Sequence, residues 1–141
     1  MKKDAIIVDI DGTVAHGHNY RSPYEFHKVH LDEPDPQLIL ITETFHSKNH
    51  NVIFVTGRSD TCKELTENWL NKNIKIDDYE LYMRKSNDKR CDTVVKKEIF
   101  ETHIQPRYDV KLVLDDRPKV VRMYLELGLK VLACGNPYKE F

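Results

Sequence analysis

No run of apolar residues in the 141-residue chain exceeds four, as at 38–41 and 52–55, which excludes a membrane-spanning helix. The opening Met-Lys-Lys-Asp passes straight into the first apolar run and leaves no room for a signal peptide. Cysteine is sparse: Cys62, Cys91 and Cys134 are odd in number and share no metal-ligand spacing, which fits reduced thiols in a cytoplasmic protein. Charge of one sign is also missing. The net value of −1 gives no global attraction to nucleic acid, so any such binding must come from a local patch. There is no internal repeat, low-complexity tract or linker. With 40% hydrophobic and 32% charged residues, the chain reads as one folded domain, 1–141, with a sizeable core.

What is present alternates between two periodicities. Ala5-Ile6-Ile7-Val8 reads as a strand buried on both faces, followed by Asp9-Ile10-Asp11-Gly12-Thr13. If the extension continues through Ile10, the two carboxylates share a face, and like charges that close need a cation or a shared proton. Residues 14–35 read as a long loop. It carries His16, His18, His27 and His30, taken as surface or polar-core residues rather than metal ligands, and Arg21 between Tyr20 and Tyr24 as a plausible anion contact. Asp35-Pro36 starts a helix with an apolar stripe of Leu38, Ile41 and Phe45. A strand over 51–55 ends in Thr56-Gly57-Arg58, and Thr61 to Glu64 resembles a capping box ahead of a face formed by Cys62, Leu65 and Trp69. A third strand spans 79–83. Residues 84–97 then hold six cations against Asp88 and Asp92, and the second half reads as a helix capped by Asp92, with Val95, Ile99 and Phe100 inward. The strand at 109–114 ends in Asp115-Asp116-Arg117. Pro118 opens a helix with Val120, Val121, Tyr124 and Leu125 inward, Gly128 closes it, and 130–133 is the last strand.

Strands alternating with helices predict an α/β, doubly wound parallel sheet flanked by helices, whose ligands bind beyond the carboxyl ends of the strands. Three such ends carry polar groups: Asp9 and Asp11; Thr56, Gly57 and Arg58; Asp115 and Asp116. Lys96 can join them. Hard carboxylate oxygens suit Mg²⁺, which keeps water and phosphate as its other ligands. A hydroxyl, a lysine and an arginine suit the remaining phosphate oxygens.

Four ordered motifs resemble those of the haloacid dehalogenase (HAD) superfamily: Asp9-Ile10-Asp11-Gly12-Thr13, Thr56, Lys96 and Asp115-Asp116. A narrower resemblance, over Arg21-Ser22-Pro23-Tyr24, residues 92–100 and residues 109–117, is to the 3′-phosphatase domain of the bacteriophage polynucleotide kinase-phosphatase family. The segment from Asp11 to Arg21 is one residue longer than in that family. The resemblance implies a Rossmann-like fold and hydrolysis of 3′-phosphates on DNA or RNA ends. It makes Asp9 the nucleophile and Asp11 the general acid and base, with Mg²⁺ on Asp9, the Asp11 backbone carbonyl and Asp115 or Asp116. Thr56 and Lys96 would hold phosphate, Gly57 lies in the same turn, Arg58 and Arg21 would contact substrate, Asp92 would orient Lys96, and Arg117 would tie the acidic loop together. No GxxxxGK[ST] occurs in the chain, so a P-loop kinase half is not expected here.

Spacing adds to this. Asp11 and Thr56 are 45 positions apart and Thr56 and Lys96 are 40 apart, which the expected helices and strands largely fill. Little or no cap domain is left, and an open site suits a polymer end. The basic segment 84–97 would meet the phosphate backbone. The rival readings are a small-molecule or nucleotide phosphatase of the same superfamily, a receiver domain, and a non-catalytic end-binding module. A receiver domain would have its acidic pair early and its acceptor Asp late, the reverse of the order here. No sequence feature selects an oligomeric state.

Overall fold

A computed structural model describes residues 1–17 and 21–141; His18 and Tyr20, named above, lie outside the described residues. Five strands form one parallel sheet in the order β5-β4-β1-β6-β7: β1 Lys3–Val8, β4 Asn51–Ser59, β5 Glu80–Arg84, β6 Tyr108–Asp115 and β7 Val131–Ala133. The connecting helices are α1 Pro36–Ser47, α2 Lys63–Asn73, α3 Asp92–Ile99 and α4 Pro118–Glu126. This is the doubly wound α/β fold expected. The chain first adds strands on one side of β1 and then on the other, so the topological switch point lies at β1.

The alternation along β1 explains the layers. Ile6 and Val8 face a cluster with Ile39 of α1 and Trp69 and Leu70 of α2. Ala5 and Ile7 face the opposite cluster with Val120 and Tyr124 of α4 and Phe100 just beyond α3. Period-two side chains on a strand covered on both faces make the continuous apolar run seen in the sequence.

Several local expectations are corrected. The 14–35 segment is not all loop: β2 Ala15–His16 pairs antiparallel with β3 Glu33–Pro34, and a 3₁₀ helix Phe26–Leu31 buries Val29. β4 runs on to Ser59, so Ser59 caps the following 3₁₀ turn Asp60–Cys62 and Thr61 falls inside it. In α1 the most buried residues are Ile39 and Thr42, with Leu38, Ile41 and Phe45 on the flanks. Likewise Thr66, not Leu65, is buried with Trp69 in α2. Cys91, still extended, is the N-cap of α3, leaving Asp92 as its first helical residue. In α4 Met123 faces inward and Leu125 is 52% exposed, because Val120, Met123 and Tyr124 already make the i, i+3, i+4 face. The Asp35 cap is as expected: its side chain accepts from the Leu38 amide at 3.1 Å, with Pro36 at the first helical position. Gly128, at φ +84°, closes α4. The three cysteines are free thiols. Among the described residues no helix is long and apolar enough to cross a membrane.

Candidate active site

The carboxyl ends of β1, β4 and β6 meet at the switch point, and each contributes charge. β1 ends at Val8, and Asp9 follows with its amide donating to the Leu114 carbonyl at 2.9 Å. The chain then turns. The Ile10 carbonyl accepts from the amides of Thr13, Val14 and Ala15, and Gly12 adopts φ +80°. The strand therefore does not continue through Ile10, and Asp9 and Asp11 do not act as a same-face pair. They enter two separate clusters.

The first cluster is acidic. Lys96 Nζ donates to Asp9 Oδ1 and to Asp115 Oδ2, both at 2.8 Å. Thr13 Oγ1 donates to Asp9 Oδ2 at 3.1 Å, and the Arg117 amide to Asp115 Oδ1 at 3.1 Å. Asp116 completes the group, its carboxylate lying beside that of Asp9. A side chain on Gly12 would collide with the Asp116 carboxylate, and one on Gly135 with the Asp116 carbonyl. The loop thus closes only because both positions lack a Cβ. One oxygen from each of Asp9, Asp115 and Asp116 lies within 4.8 Å of the others. Burial pushes the Asp9 carboxyl up to about 7, with Lys96 opposing and Asp116 adding to the rise. Burial likewise lifts Asp115 to about 6 and raises Asp116. Burial alone would lower Lys96, but the Asp115 and Asp9 carboxylates hold it well above its ordinary value. Three carboxylates against one ammonium leave an excess of negative charge, and hard oxygens at this spacing fit a divalent cation.

The second cluster is balanced. Asp11 accepts from Arg21 Nη2 and Arg58 Nη2, both at 2.8 Å. Asp32, with a fully buried side chain, takes Arg21 Nε at 2.8 Å and Arg58 Nη2 at 2.7 Å. Arg58, only 2% exposed, also donates to Thr66 Oγ1 at 3.1 Å. Burial would raise Asp11, but the Arg58 and then the Arg21 guanidinium overcome it and hold the carboxyl below its ordinary value. Arg21 approaches Asp32 closely because Gly17 has no side chain in the way.

Asp32 was not read from the sequence, and it anchors both arginines. No motif marks it. The usable signal is indirect: a buried arginine needs carboxylates to offset its desolvation. Thr13 and Thr66 were not given roles either. Tyr124, expected only to face the core, has a buried hydroxyl without a hydrogen-bond partner among the described residues, close enough to Lys96, Asp115 and Asp9 to feel their charge.

The remaining expected residues are placed as follows. Thr56 is buried at the edge of the site and accepts from the Arg58 amide at 3.1 Å. Gly57 lets Asp92 pack against the strand, since a Cβ would stand 2.6 Å from Asp92 Oδ1. Asp92 does not orient Lys96. It binds Arg84 Nη2 at 2.5 Å and Arg117 Nη1 at 2.7 Å, because as the first residue of its helix it lies between those guanidiniums. Arg117 does tie the acidic loop to α3. In the basic segment 84–97 the two arginines and Lys96 are engaged, while Lys85, Lys89 and Lys97 have no ion-pair partner among the described residues. Arg84 is spent on Asp92 and the carbonyls of Gly57, Asp88 and Arg90, Arg90 on Asp88 and Glu98, and Lys96 on the acidic cluster. Of the loop histidines, His16 meets Asp35 at 2.8 Å, while His27 and His30 are exposed. Tyr24 is exposed and does not flank the buried Arg21 side chain.

A model of the polynucleotide kinase PNKP phosphatase domain matches residues 3–137. The chain belongs to this family, a phosphatase domain of the HAD type. It is 41% identical over 142 residues to a protein of Autographa californica nuclear polyhedrosis virus named as a bifunctional polynucleotide kinase/RNA ligase, covering 97% of this chain and 20% of that protein. Two solved Pnkp1/Rnl/Hen1 complexes, one described as an RNA repair complex, contain chains 35% identical to it. Their TM-scores are 0.88 and 0.90; the matches cover 94% and 99% of this chain and 42% and 48% of those chains. The chain therefore spans about a fifth of the viral relative and less than half of the Pnkp1-complex chains. A class C acid phosphatase from Bacillus anthracis, with tungstate bound, shares the fold at 18% identity and TM-score 0.69, over 99% of this chain and 69% of that one. Within this PNKP phosphatase-domain family member, β2–β3, the 3₁₀ helix and α1 fill the interval from Asp11 to Thr56, and α2 and β5 fill that from Thr56 to Lys96. The described residues include no inserted cap domain.

Proposed function

We propose that residues 1–141 form a Mg²⁺-dependent polynucleotide 3′-phosphatase that clears 3′-phosphates from DNA or RNA ends. The observation that carries the reading is the Lys96 bridge between Asp9 and Asp115, inside a three-carboxylate cluster, with Asp11 held in a separate cluster at the same sheet edge. Asp9, Asp115 and Asp116 would hold Mg²⁺, which supplies charge neutralisation for the phosphoryl oxygens.

The Asp9 carboxylate attacks the 3′-phosphorus in line, and the P–O3′ bond breaks as the Asp9–phosphorus bond forms. Asp11 gives a proton to the departing 3′-oxygen. It then takes one from the water that attacks the aspartyl-phosphate, which restores Asp9 and releases inorganic phosphate. Lys96 keeps Asp9 aligned and neutralises charge on the incoming group. Arg21 and Arg58 have a double role. With the site free of phosphate they hold Asp11 ionised. A phosphate oxygen that competes for the same guanidinium forks weakens that hold, so Asp11 accepts its proton as substrate arrives.

Phosphate release from DNA and RNA oligonucleotides carrying 3′-, 5′- or 2′,3′-cyclic phosphate, with and without Mg²⁺, tests the reading. The 3′-phosphorylated strands should turn over and Asp9→Asn protein should be inactive on them. Retained turnover by Asp9→Asn would overturn the covalent mechanism, and preference for 5′ ends would overturn the substrate. Faster turnover of mononucleotides or p-nitrophenyl phosphate than of any oligonucleotide would favour a small-molecule phosphatase.

A further inference from the structure

A groove of about 410 Å³ runs between α3 and α4 on the outer side of the sheet layer, lined by Thr93, Lys97, Lys119, Arg122 and Glu126 over an apolar floor that includes Met123. Three cations face one carboxylate there, in a chain whose net charge is −1. Lys97 and Lys119 have no ion-pair partner among the described residues. In a parallel sheet both helix starts lie at the carboxyl edge, where Asp9 and Asp115 sit. Those starts are tied together by the Arg117–Asp92 bond of 2.7 Å, one residue before Thr93 and two before Lys119. The groove therefore begins at the rim of the active site.

The chain's last residues already display what this surface accepts. Glu140 pairs with Arg122, and Lys119 adds to the field on its carboxylate. Phe141 stacks on Arg117, whose guanidinium carbon is 5.5 Å from the ring centre. An anion and a flat ring side by side on two arginines is also what one nucleotide offers, a phosphate and a base.

We infer that the α3–α4 groove is the track for the nucleic-acid strand 5′ of the phosphorylated end, with Lys97, Lys119 and Arg122 on its backbone phosphates and Arg117 under a base. The inference rests on the proposed polynucleotide substrate. It keeps Lys97, the last residue of segment 84–97, and moves the rest of the contact onto α4, since the segment's arginines are spent internally. The contacts are to phosphates, so binding is insensitive to sequence and sensitive to salt.

Fluorescence anisotropy of labelled, single-stranded 3′-hydroxyl oligonucleotides of three, six and ten nucleotides tests it without any turnover. For Lys97→Ala/Lys119→Ala/Arg122→Ala protein, the slope of log affinity against log salt should be shallower by about 2, and low-salt affinity for the ten-mer should fall on the order of tenfold. The gain in affinity with length should flatten as well. Lys72→Ala, an exposed lysine in the last turn of α2 on the other layer, should match wild type. Wild-type slope, affinity and length dependence in the triple variant would overturn the groove assignment while leaving the phosphatase reading intact. Wild-type protein that binds these strands through the groove yet releases phosphate from none of the 3′-phosphorylated forms would overturn the phosphatase reading instead. An equal fall in turnover of p-nitrophenyl phosphate and of oligonucleotide in the triple variant would place its effect at Asp9, and would also overturn the groove.

Discussion

Two clusters of charge share the carboxyl edge of the sheet and are completed in opposite ways. Asp9, Asp115 and Asp116 set three carboxylates against Lys96 alone, and burial raises all three carboxyls. Asp11 and Asp32 set two carboxylates against Arg21 and Arg58, and Asp11 is held low. The first group is short of positive charge, which the proposed Mg²⁺ would supply. The second is balanced in charge as it stands, and in the proposed mechanism it changes when a substrate phosphate competes for its guanidiniums. The DxD motif thus places one carboxylate in a cluster built to bind and the other in a cluster built to hold.

The sharpest break of this contrast is at Asp9, the proposed nucleophile. Asp9→Asn should lower kcat by on the order of 10⁴-fold or more and chelation by EDTA should abolish turnover, both read by phosphate release. In the balanced cluster the largest effect should come from Asp32→Asn, which leaves two buried guanidiniums underpaired. A loss of about 3 kcal/mol in urea unfolding is expected, with kcat falling because Asp11 loses its orientation. If Asp32→Asn is as stable as wild type, the cluster is not the closed unit described.

pH separates the two clusters by sign. For Asp9 and Asp115 the folded values, about 7 and about 6, exceed the ordinary 3.8. The folded protein therefore binds more protons than the unfolded chain between these limits, and metal-free stability from this cluster falls as pH rises from about 4 to about 7. Asp11 acts the other way. Its lowered value contributes stability that is present above 3.8 and lost as pH falls below it. Thermal melts across pH 3 to 8 in EDTA and in Mg²⁺ should show Mg²⁺ stabilisation growing as pH rises, since the cation needs the ionised carboxylates. Stabilisation by Mg²⁺ that is constant with pH would contradict the assignment. The smallest effect expected is at Gly128→Ala, where nothing lies within 4 Å of the added Cβ and only the φ of +84° resists: a loss of about 1 kcal/mol, with kcat unchanged.

Much of the first cluster was legible in the sequence, because its carboxylates sit at strand ends and Lys96 on a helix that starts at the same edge, where topology, not local spacing, brings them together. Asp9, Lys96 and Asp115 are far apart along the chain, yet a doubly wound reading carries all three to one edge. The second cluster was legible only in half. Arg21 and Arg58 are expected to face substrate, and the structure has them also folded inward onto Asp32. That residue sits in a stretch with no periodicity, 11 positions from Arg21 and 26 from Arg58. The misplaced details elsewhere are shifts of a position or two within a helical turn. Thr61, Leu65, Asp92 and Leu125 were each assigned by local pattern: Thr61 and Asp92 fall just inside the turns they were expected to cap, and the inward faces of α2 and α4 bury Thr66 and Met123 instead of Leu65 and Leu125.

The chain's single tryptophan has a place in this. Trp69 Nε1 donates to the main-chain oxygen of Asp32 at 2.9 Å, and the side chain of that same aspartate holds both arginines. The indole is therefore wired, through one residue, to the groups that in the proposed mechanism release Asp11 when an anion arrives. Its emission is a built-in optical gauge of that event, unobscured by any second tryptophan. Stopped-flow mixing with phosphate or a 3′-phosphorylated strand can time the exchange of partners at Arg58 without a label.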